Sequence, residues 1–164
     1  MDKGIPVDVI YTDFQKAFDS VNQKILKKKL NDLGFSDYLC DFFWSYLTGR
    51  VQYVSYRSHT SEKFACPSGV PQGSNLDPLL FLLFVNDLPS VIQDSEILMY
   101  ADDVKIYRLI EHHTDSESLQ TDLDRLASWS IENRLSVNVE KCTYTIFTRK
   151  KQCTRYEYAI MGKN

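Results

Sequence analysis

Ile97-Leu98-Met99-Tyr100-Ala101-Asp102-Asp103-Val104-Lys105-Ile106-Tyr107 is an apolar half-strand that runs into two adjacent carboxylates and is followed at once by a second half-strand. The pattern predicts a tight β-hairpin with Asp102 and Asp103 at or beside the turn. Asp is a common turn residue, so the pair taken alone says only that the chain reverses there. Two ionised carboxylates about 4 Å apart nevertheless repel by roughly 4 kcal/mol at an effective dielectric near 20. A divalent cation would convert that repulsion into coordination. What the hairpin needs from the rest of the chain is a third carboxylate and a loop that can handle phosphate.

Composition narrows the class. The 164 residues make one domain with length for a real core. With 43% apolar and 25% charged residues, wholesale disorder is excluded. A net charge of −3 argues against a free-standing nucleic-acid binder, because phosphate backbones are met by basic surfaces. The aromatic share of 13% supplies either stacking surfaces or core. Cys40, Cys66, Cys142 and Cys153 have neither close pairing nor metal-ligand spacing, as expected of reduced thiols in an intracellular protein. His59, His112 and His113 make no ligand pattern either. Met1-Asp2-Lys3 opens no signal peptide, and the longest apolar run, 79–85, is far too short to span a bilayer, so no membrane partner is expected. Both ends read as cut, with few residues before the first strand and a tail, 155–164, that enters another hairpin.

Outward from the hairpin, the β-branched run 7–12 predicts a strand carrying Asp13 at its C-terminal end. Asn22 is placed to cap a helix through Leu33, with Ile25, Leu26, Leu30 and Leu33 on one face. Lys24, Lys27, Lys28 and Lys29 lie mostly off that face and read as solvated surface. Ser36 caps a second helix, 37–48, ended by Gly49, and residues 50–57 and 61–66 predict a hairpin. Residues 67–78 hold three prolines and two glycines and read as loop. There Asp77 is the expected N-cap, with Pro78 at N1, of an apolar helix running from Leu79. A glycine-punctuated loop entering a helix presents backbone N–H groups to an anion or a base. Thr114 and Glu117 fit a capping box for a long helix to about Arg134, striped by Leu119, Leu123, Leu126 and Ala127, with Trp129 in the core. Residues 136–139, 142–148 and 156–160 read as strand pieces. Helices interleaved with antiparallel hairpins predict an α+β fold, a sheet layered on helices.

Asp13 with Asp102 and Asp103 in one sheet could hold two Mg²⁺ ions, one activating a hydroxyl and one neutralising a leaving pyrophosphate. In such reactions catalysis is mostly positioning and charge stabilisation. Nucleotidyl transfer follows from carboxylates plus a Gly/Gln loop, and nucleotide cyclases satisfy the same reasoning.

Val7-Asp8-Val9-Ile10-Tyr11-Thr12-Asp13-Phe14-Gln15-Lys16-Ala17-Phe18-Asp19-Ser20-Val21 resembles motif A of the reverse transcriptases of non-LTR (LINE-type) retrotransposons. Residues 68–89 resemble motif B, Tyr100-Ala101-Asp102-Asp103 the YADD of motif C, and Leu135-Ser136-Val137-Asn138-Val139-Glu140-Lys141-Cys142 motif D. Four motifs in order cover nearly the whole chain, nearest to the jockey-like and chicken-repeat-like clades. The resemblance implies a polymerase palm over 1–164, an antiparallel sheet packed on helices, with the fingers mostly missing and the thumb absent. It implies an RNA-directed DNA polymerase, a nucleotidyltransferase adding dNTPs to a DNA primer on an RNA template with two Mg²⁺ ions, Mn²⁺ substituting. Asp13, Asp102 and Asp103 would be the metal ligands with the Phe14 carbonyl, and Lys141 would serve the pyrophosphate. Phe18 would select the sugar, Ala17 would let the backbone approach the triphosphate, and Gln72 and Gly73 would pack on the nucleotide. Lys16 and Asp19 are expected to form a structural ion pair.

The chain departs from the family's pattern at Asn75 and Asp77, where an apolar and a small residue are common, and at Asn22-Gln23. By the resemblance, Asp77 would put an extra negative charge near the triphosphate. By the same resemblance, fingers, thumb and an endonuclease belong to a parent polyprotein, the segment alone is inactive, and it works in the nucleus or cytoplasm. The competing expectation is a catalytically dead remnant acting as a nucleic-acid-binding or interaction module. A group II intron maturase or RNA polymerase palm is a third.

Overall fold

A computed structural model describes residues 4–150 and 156–162. Cys153, Met1-Asp2-Lys3 and, in the tail, Arg155, Lys163 and Asn164 lie outside the described residues. The chain forms two compact units, one of Met1–Gln15 with Asn86–Asn164 and one of Lys16–Val85.

The first unit is built on a four-stranded antiparallel sheet. Its strands are β1 (Val7–Thr12), β6 (Glu96–Tyr100), β7 (Asp103–Leu109) and β8 (Thr143–Phe147), in the order β6-β7-β1-β8. The β1–β7 register runs from Val7↔Leu109 to Thr12↔Val104, and the β1–β8 register from Val7↔Phe147 to Tyr11↔Thr143. Side chains alternate between faces, so Asp8, Ile10 and Thr12 of β1 share a side with Val104 and Ile106 of β7, and all five are buried. That side is covered by α6 (His113–Asn133), which buries Leu119, Leu123, Leu126 and Trp129. Each fully buried Leu contributes about 1.5–3 kcal/mol. The short α5 (Leu88–Val91) packs on α6, and the Trp129 indole N–H donates to Asp87 at 3.2 Å.

The loop before β6 is fastened by Asp122, which is wholly buried and accepts from the backbone N–H groups of Gln93 and Asp94 and from Arg125. Burial pushes its carboxyl up, but those donors outweigh burial and hold it below the usual carboxylate range.

The second unit packs α2 (Gln23–Asp32) against α3 (Asp37–Leu47) and α4 (Asp77–Val85) around Leu26, Leu30, Phe43, Leu47, Leu80, Phe81 and Phe84. Asn22 accepts from the N–H groups of Lys24 and Ile25, and Ser36 from that of Leu39, so both expected caps are in place. Two of the α2 lysines are engaged rather than simply solvated: Lys27 with Asp41 at 2.9 Å, and Lys29 with the Phe84 carbonyl at 2.7 Å. The predicted hairpin is a broken ribbon. Here β2 (Val51–Gln52) pairs with β5 (Phe64–Ala65), and β3 (Ser55–Tyr56) with β4 (His59–Thr60). α4 is apolar on all sides, so Leu79 and Leu82 remain exposed while Leu80, Phe81 and Phe84 are buried.

Three local expectations shift. The α6 start is held by Asp115, not by Thr114 and Glu117: its carboxylate accepts from the His112 and Glu111 N–H groups and pairs with Arg108 at 3.0 Å. A carboxylate one turn in satisfies donors that the helix leaves unpaired, and the His112 N–H draws its pKa down first. The strand piece expected over 136–139 is a single bridge at Val137 running into a 3-10 turn, Val139–Lys141, and no strand spans residues 156–160 among the described residues. Asp77 is the first helical residue, and the Ser74 hydroxyl accepts from the N–H groups of Leu76 and Asp77.

Candidate active site

The hairpin forms as its sequence predicts. β6 and β7 pair from Glu96↔Tyr107 to Tyr100↔Asp103, leaving Ala101 and Asp102 as the turn, with Ala101 at φ 52°. Asp102 therefore sits at the tip and Asp103 is the first residue of β7. One step beyond the last β1–β7 pair, Thr12↔Val104, the antiparallel register brings Asp13 opposite Asp103. Both lie on the face shared by Tyr11 and Lys105, whose ammonium stands 5.3 Å from the Tyr11 ring centre.

Lys141, carried by the 3-10 turn, completes the cluster. Its ammonium donates to Asp13 Oδ2 at 2.6 Å. The Asp13 bond and charge, and then the charges of Asp102 and Asp103, raise its pKa above the ordinary lysine range. Position 141 is set by backbone bonds: Asn138 N–H donates to Asp13 O, Gln15 N–H donates to Ser136 O, and Phe14 bridges Val137. That bridge uses the carbonyl of Asp13 and leaves the carbonyl of Phe14 out of it. The Phe14 ring is buried against Trp129, 5.9 Å between centres.

The carboxylates of Asp13, Asp102 and Asp103 are hard oxygen donors of the kind Mg²⁺ takes, so the donor chemistry fits that ion. Among the described residues no group of three or more His, Cys, Asp or Glu side chains is arranged to hold a metal ion. The Lys141 ammonium is the cation that Asp13 holds.

Ala17, Phe18, Gln72 and Gly73 belong to the second unit. Lys16, left-handed at φ 46°, starts the short α1 (Ala17–Ser20), with Ala17 buried. The Phe18 ring packs on Phe81, 4.6 Å between centres. The loop that follows Pro67 is tied to this turn: Gly69 N–H donates to Val21 O, Val70 N–H to Phe18 O, and the Ser68 hydroxyl to Asp19 O. Gln23 adds a bond from its amide to Gly69 O at 3.2 Å. Gly69 lies against Asp19, and a Cβ there would stand 2.8 Å from Asp19 Cα.

Two expectations about this loop are corrected. Asp19 does not pair with Lys16 among the described residues; its Oδ1 accepts from Gln72 Nε2 at 2.8 Å. The Gly73 N–H, one of the loop donors expected to face an anion or a base, donates to Asp77 Oδ2 at 3.1 Å, and Asp77 is buried. The charge that departs from the family's pattern is thus spent on the loop's own backbone.

Sequence reasoning passed over Asp8. It is buried on β1 and accepts from the Tyr144 hydroxyl at 3.1 Å and the Tyr158 hydroxyl at 2.7 Å. Burial first, then the Asp8 charge, pushes the Tyr158 pKa far up and keeps it a donor. The available signal was parity: Asp8 shares its face with Ile10 and Thr12.

Comparison with known proteins identifies the family. The family described as reverse transcriptase (RNA-dependent DNA polymerase) matches residues 8–160. The chain is 31% identical over 148 residues to the "Probable RNA-directed DNA polymerase from transposon X-element" of Drosophila melanogaster, covering 87% of this chain and 16% of that protein. It is 32% identical over 148 residues to the RNA-directed DNA polymerase from mobile element jockey of Drosophila funebris, covering 84% of this chain and 16% of that one. The chain thus spans about a sixth of these curated relatives. Among solved structures, apo telomerase from Candida tropicalis, truncated from its C-terminal domain, superposes with a TM-score of 0.69 at 14% identity, over 90% of this chain and 32% of that one. At that identity the likeness speaks for the fold, a partial reverse-transcriptase palm. With the family match spanning nearly the whole chain, this chain belongs to the reverse transcriptase (RNA-dependent DNA polymerase) family, and the two relatives named above are polymerases of mobile elements.

Proposed function

We propose that residues 1–164 are the palm segment of an RNA-directed DNA polymerase that extends a DNA primer on an RNA template with dNTPs. One observation carries the reading: the β1–β7 register sets Asp13 opposite Asp103 beside the Asp102 turn, 89 and 90 positions apart in the sequence, and Asp13 holds the Lys141 ammonium. Asp13, Asp102, Asp103 and the Phe14 carbonyl would hold two Mg²⁺ ions, with Mn²⁺ able to substitute. Bound there, the metal would ease deprotonation of the primer 3′-hydroxyl and offset charge on the pyrophosphate. Lys141 would move from Asp13 to the leaving pyrophosphate, supplying charge or a proton. Phe18 would close off the space of a 2′-hydroxyl, Ala17 would admit the triphosphate close to the backbone, and Gln72 with Gly73 would pack on the nucleotide.

The relatives are about six times longer, and the fingers, thumb and endonuclease of a parent polyprotein would complete the enzyme. Among the described residues no helix is long and apolar enough to cross a membrane. An enzyme working on nucleic acid would act inside the cell, in nucleus or cytoplasm. The remnant alternative rests in part on Asp77 and Asn75; the Asp77 carboxylate is turned to the Gly73 N–H, so that one residue does not favour decay.

The test is Asp102→Asn in the full-length polymerase. Primer extension should fall by orders of magnitude with the thermal midpoint retained; extension at the parent rate would refute the metal assignment.

A further inference from the structure

The loop residue Gln72 has its orientation imposed by a side chain outside any assigned role. Asp19 Oδ1 lies 2.8 Å from Gln72 Nε2. A carboxylate only accepts, so it is the amide nitrogen of Gln72 that faces Asp19, and the amide oxygen is turned the other way. Without Asp19 the two ends of the amide could exchange. With it, Gln72 presents an acceptor.

The Asp19 backbone has little freedom. Its backbone oxygen accepts from the Ser68 hydroxyl at 2.8 Å, and the Gly69 backbone passes so close to its Cα that a side chain at 69 would collide with it. Flanking bonds, Val70 N–H to Phe18 O and Gly69 N–H to Val21 O, tie the same two segments on either side of this contact. On the next residue, Asp77 takes the Gly73 N–H. The Gln72-Gly73 pair is therefore held at both residues by carboxylates, from Asp19 on the side chain and from Asp77 on the backbone. Asp19 also neighbours Phe18, so one short turn carries both the sugar-facing ring and the anchor of Gln72.

We propose that Asp19 is a positioning residue for the polymerase reaction: it fixes the Gln72 amide so that its oxygen, and not its nitrogen, is offered to the incoming nucleotide. This rests on the reading of the chain as a polymerase palm. What Asp19 supplies is an acceptor, not a charge. Asn at position 19 can offer its own carbonyl to Gln72 Nε2, whereas Leu, of similar size, cannot.

The experiment has two arms. In the first, ¹⁵N spectra of this chain follow the side-chain amide of Gln72. Its two hydrogens should be widely separated in wild type and in Asp19→Asn, and should collapse to the free-glutamine position in Asp19→Leu. A Gln72 pair already at the free position in wild type overturns the inference. In the second, steady-state primer extension by the full-length polymerase separates KM from kcat. Asp19→Leu should raise the dNTP KM about tenfold with kcat within about twofold, the size expected for one lost orienting bond. Asp19→Asn should stay within about twofold of wild type on both. A fall in kcat with unchanged KM, or equal damage from Asn and Leu, overturns the positioning role. An inert wild-type polymerase whose Gln72 spectrum is as described would refute the palm reading and reduce Asp19 to a latch, overturning its part in nucleotide use.

Discussion

Lys141 and Asp13 stand 128 positions apart and meet at 2.6 Å, Nζ to Oδ2, at the end of the sheet where Asp102 and Asp103 also lie. The pair neutralises one of three crowded carboxylates from within the chain. An ammonium and a divalent cation crowded onto one carboxylate repel each other, so the two compete there.

Removing the competitor should therefore strengthen metal binding. Lys141→Met is expected to tighten Mn²⁺ binding several-fold, read from paramagnetic broadening of resonances near Asp13. Unchanged broadening across a Mn²⁺ titration would show that the ammonium does not hold the ion's place.

Phe18 packs on Phe81, which fixes the ring that the resemblance assigns to sugar selection. In the full-length polymerase, Phe18→Val should lower discrimination of dNTP over rNTP by on the order of 10–100-fold, the range for a side-chain-sized change in a pocket. Equal ribonucleotide rejection by the two enzymes would take Phe18 out of that role.

Gly69 combines φ +81° with a missing Cβ that would stand 2.8 Å from Asp19 Cα and Asp19 O. Gly69→Ala should cost about 2 kcal/mol or more, since backbone must move on one side or the other. A urea midpoint equal to wild type would contradict the close approach.

Asp122 sets an acid limit on the first unit. Its carboxyl is held below the unfolded value of about 3.9, with burial opposing and the Gln93 N–H and Arg125 among the groups lowering it. A folded pKa below the unfolded one means its stabilisation is complete above that unfolded value and drains away as pH falls toward the folded one. Asp122→Asn should therefore be less stable at pH 7, by on the order of 3 kcal/mol where a buried partner of Arg125 is removed. The deficit should shrink as pH falls below about 4. Denaturant midpoints at pH 7 and pH 3 check both the size and the direction.

How much of this was written in the chain can be read residue by residue. The Asp102 turn, the Asn22 and Ser36 caps and the apolar stripe of α6 follow from a few neighbouring residues, because turn chemistry, cap donors and side-chain period act over one or two turns of backbone. The start of α6 was misread because Asp115 and Glu117 both suit a first turn, and only the Arg108 partner and the actual N–H directions choose between them.

By itself the sequence determined the α+β order, the three acids and the family to which they belong, since periodicity and ordered motifs are carried in the chain. Tertiary structure alone decided partners. Asp19 turns to Gln72, 53 positions away, rather than to nearby Lys16; Asp8 collects hydroxyls from residues 144 and 158; and Lys141 finds Asp13. Which acceptor a side chain meets depends on strand register and loop closure, and those are settled by packing summed over the whole unit.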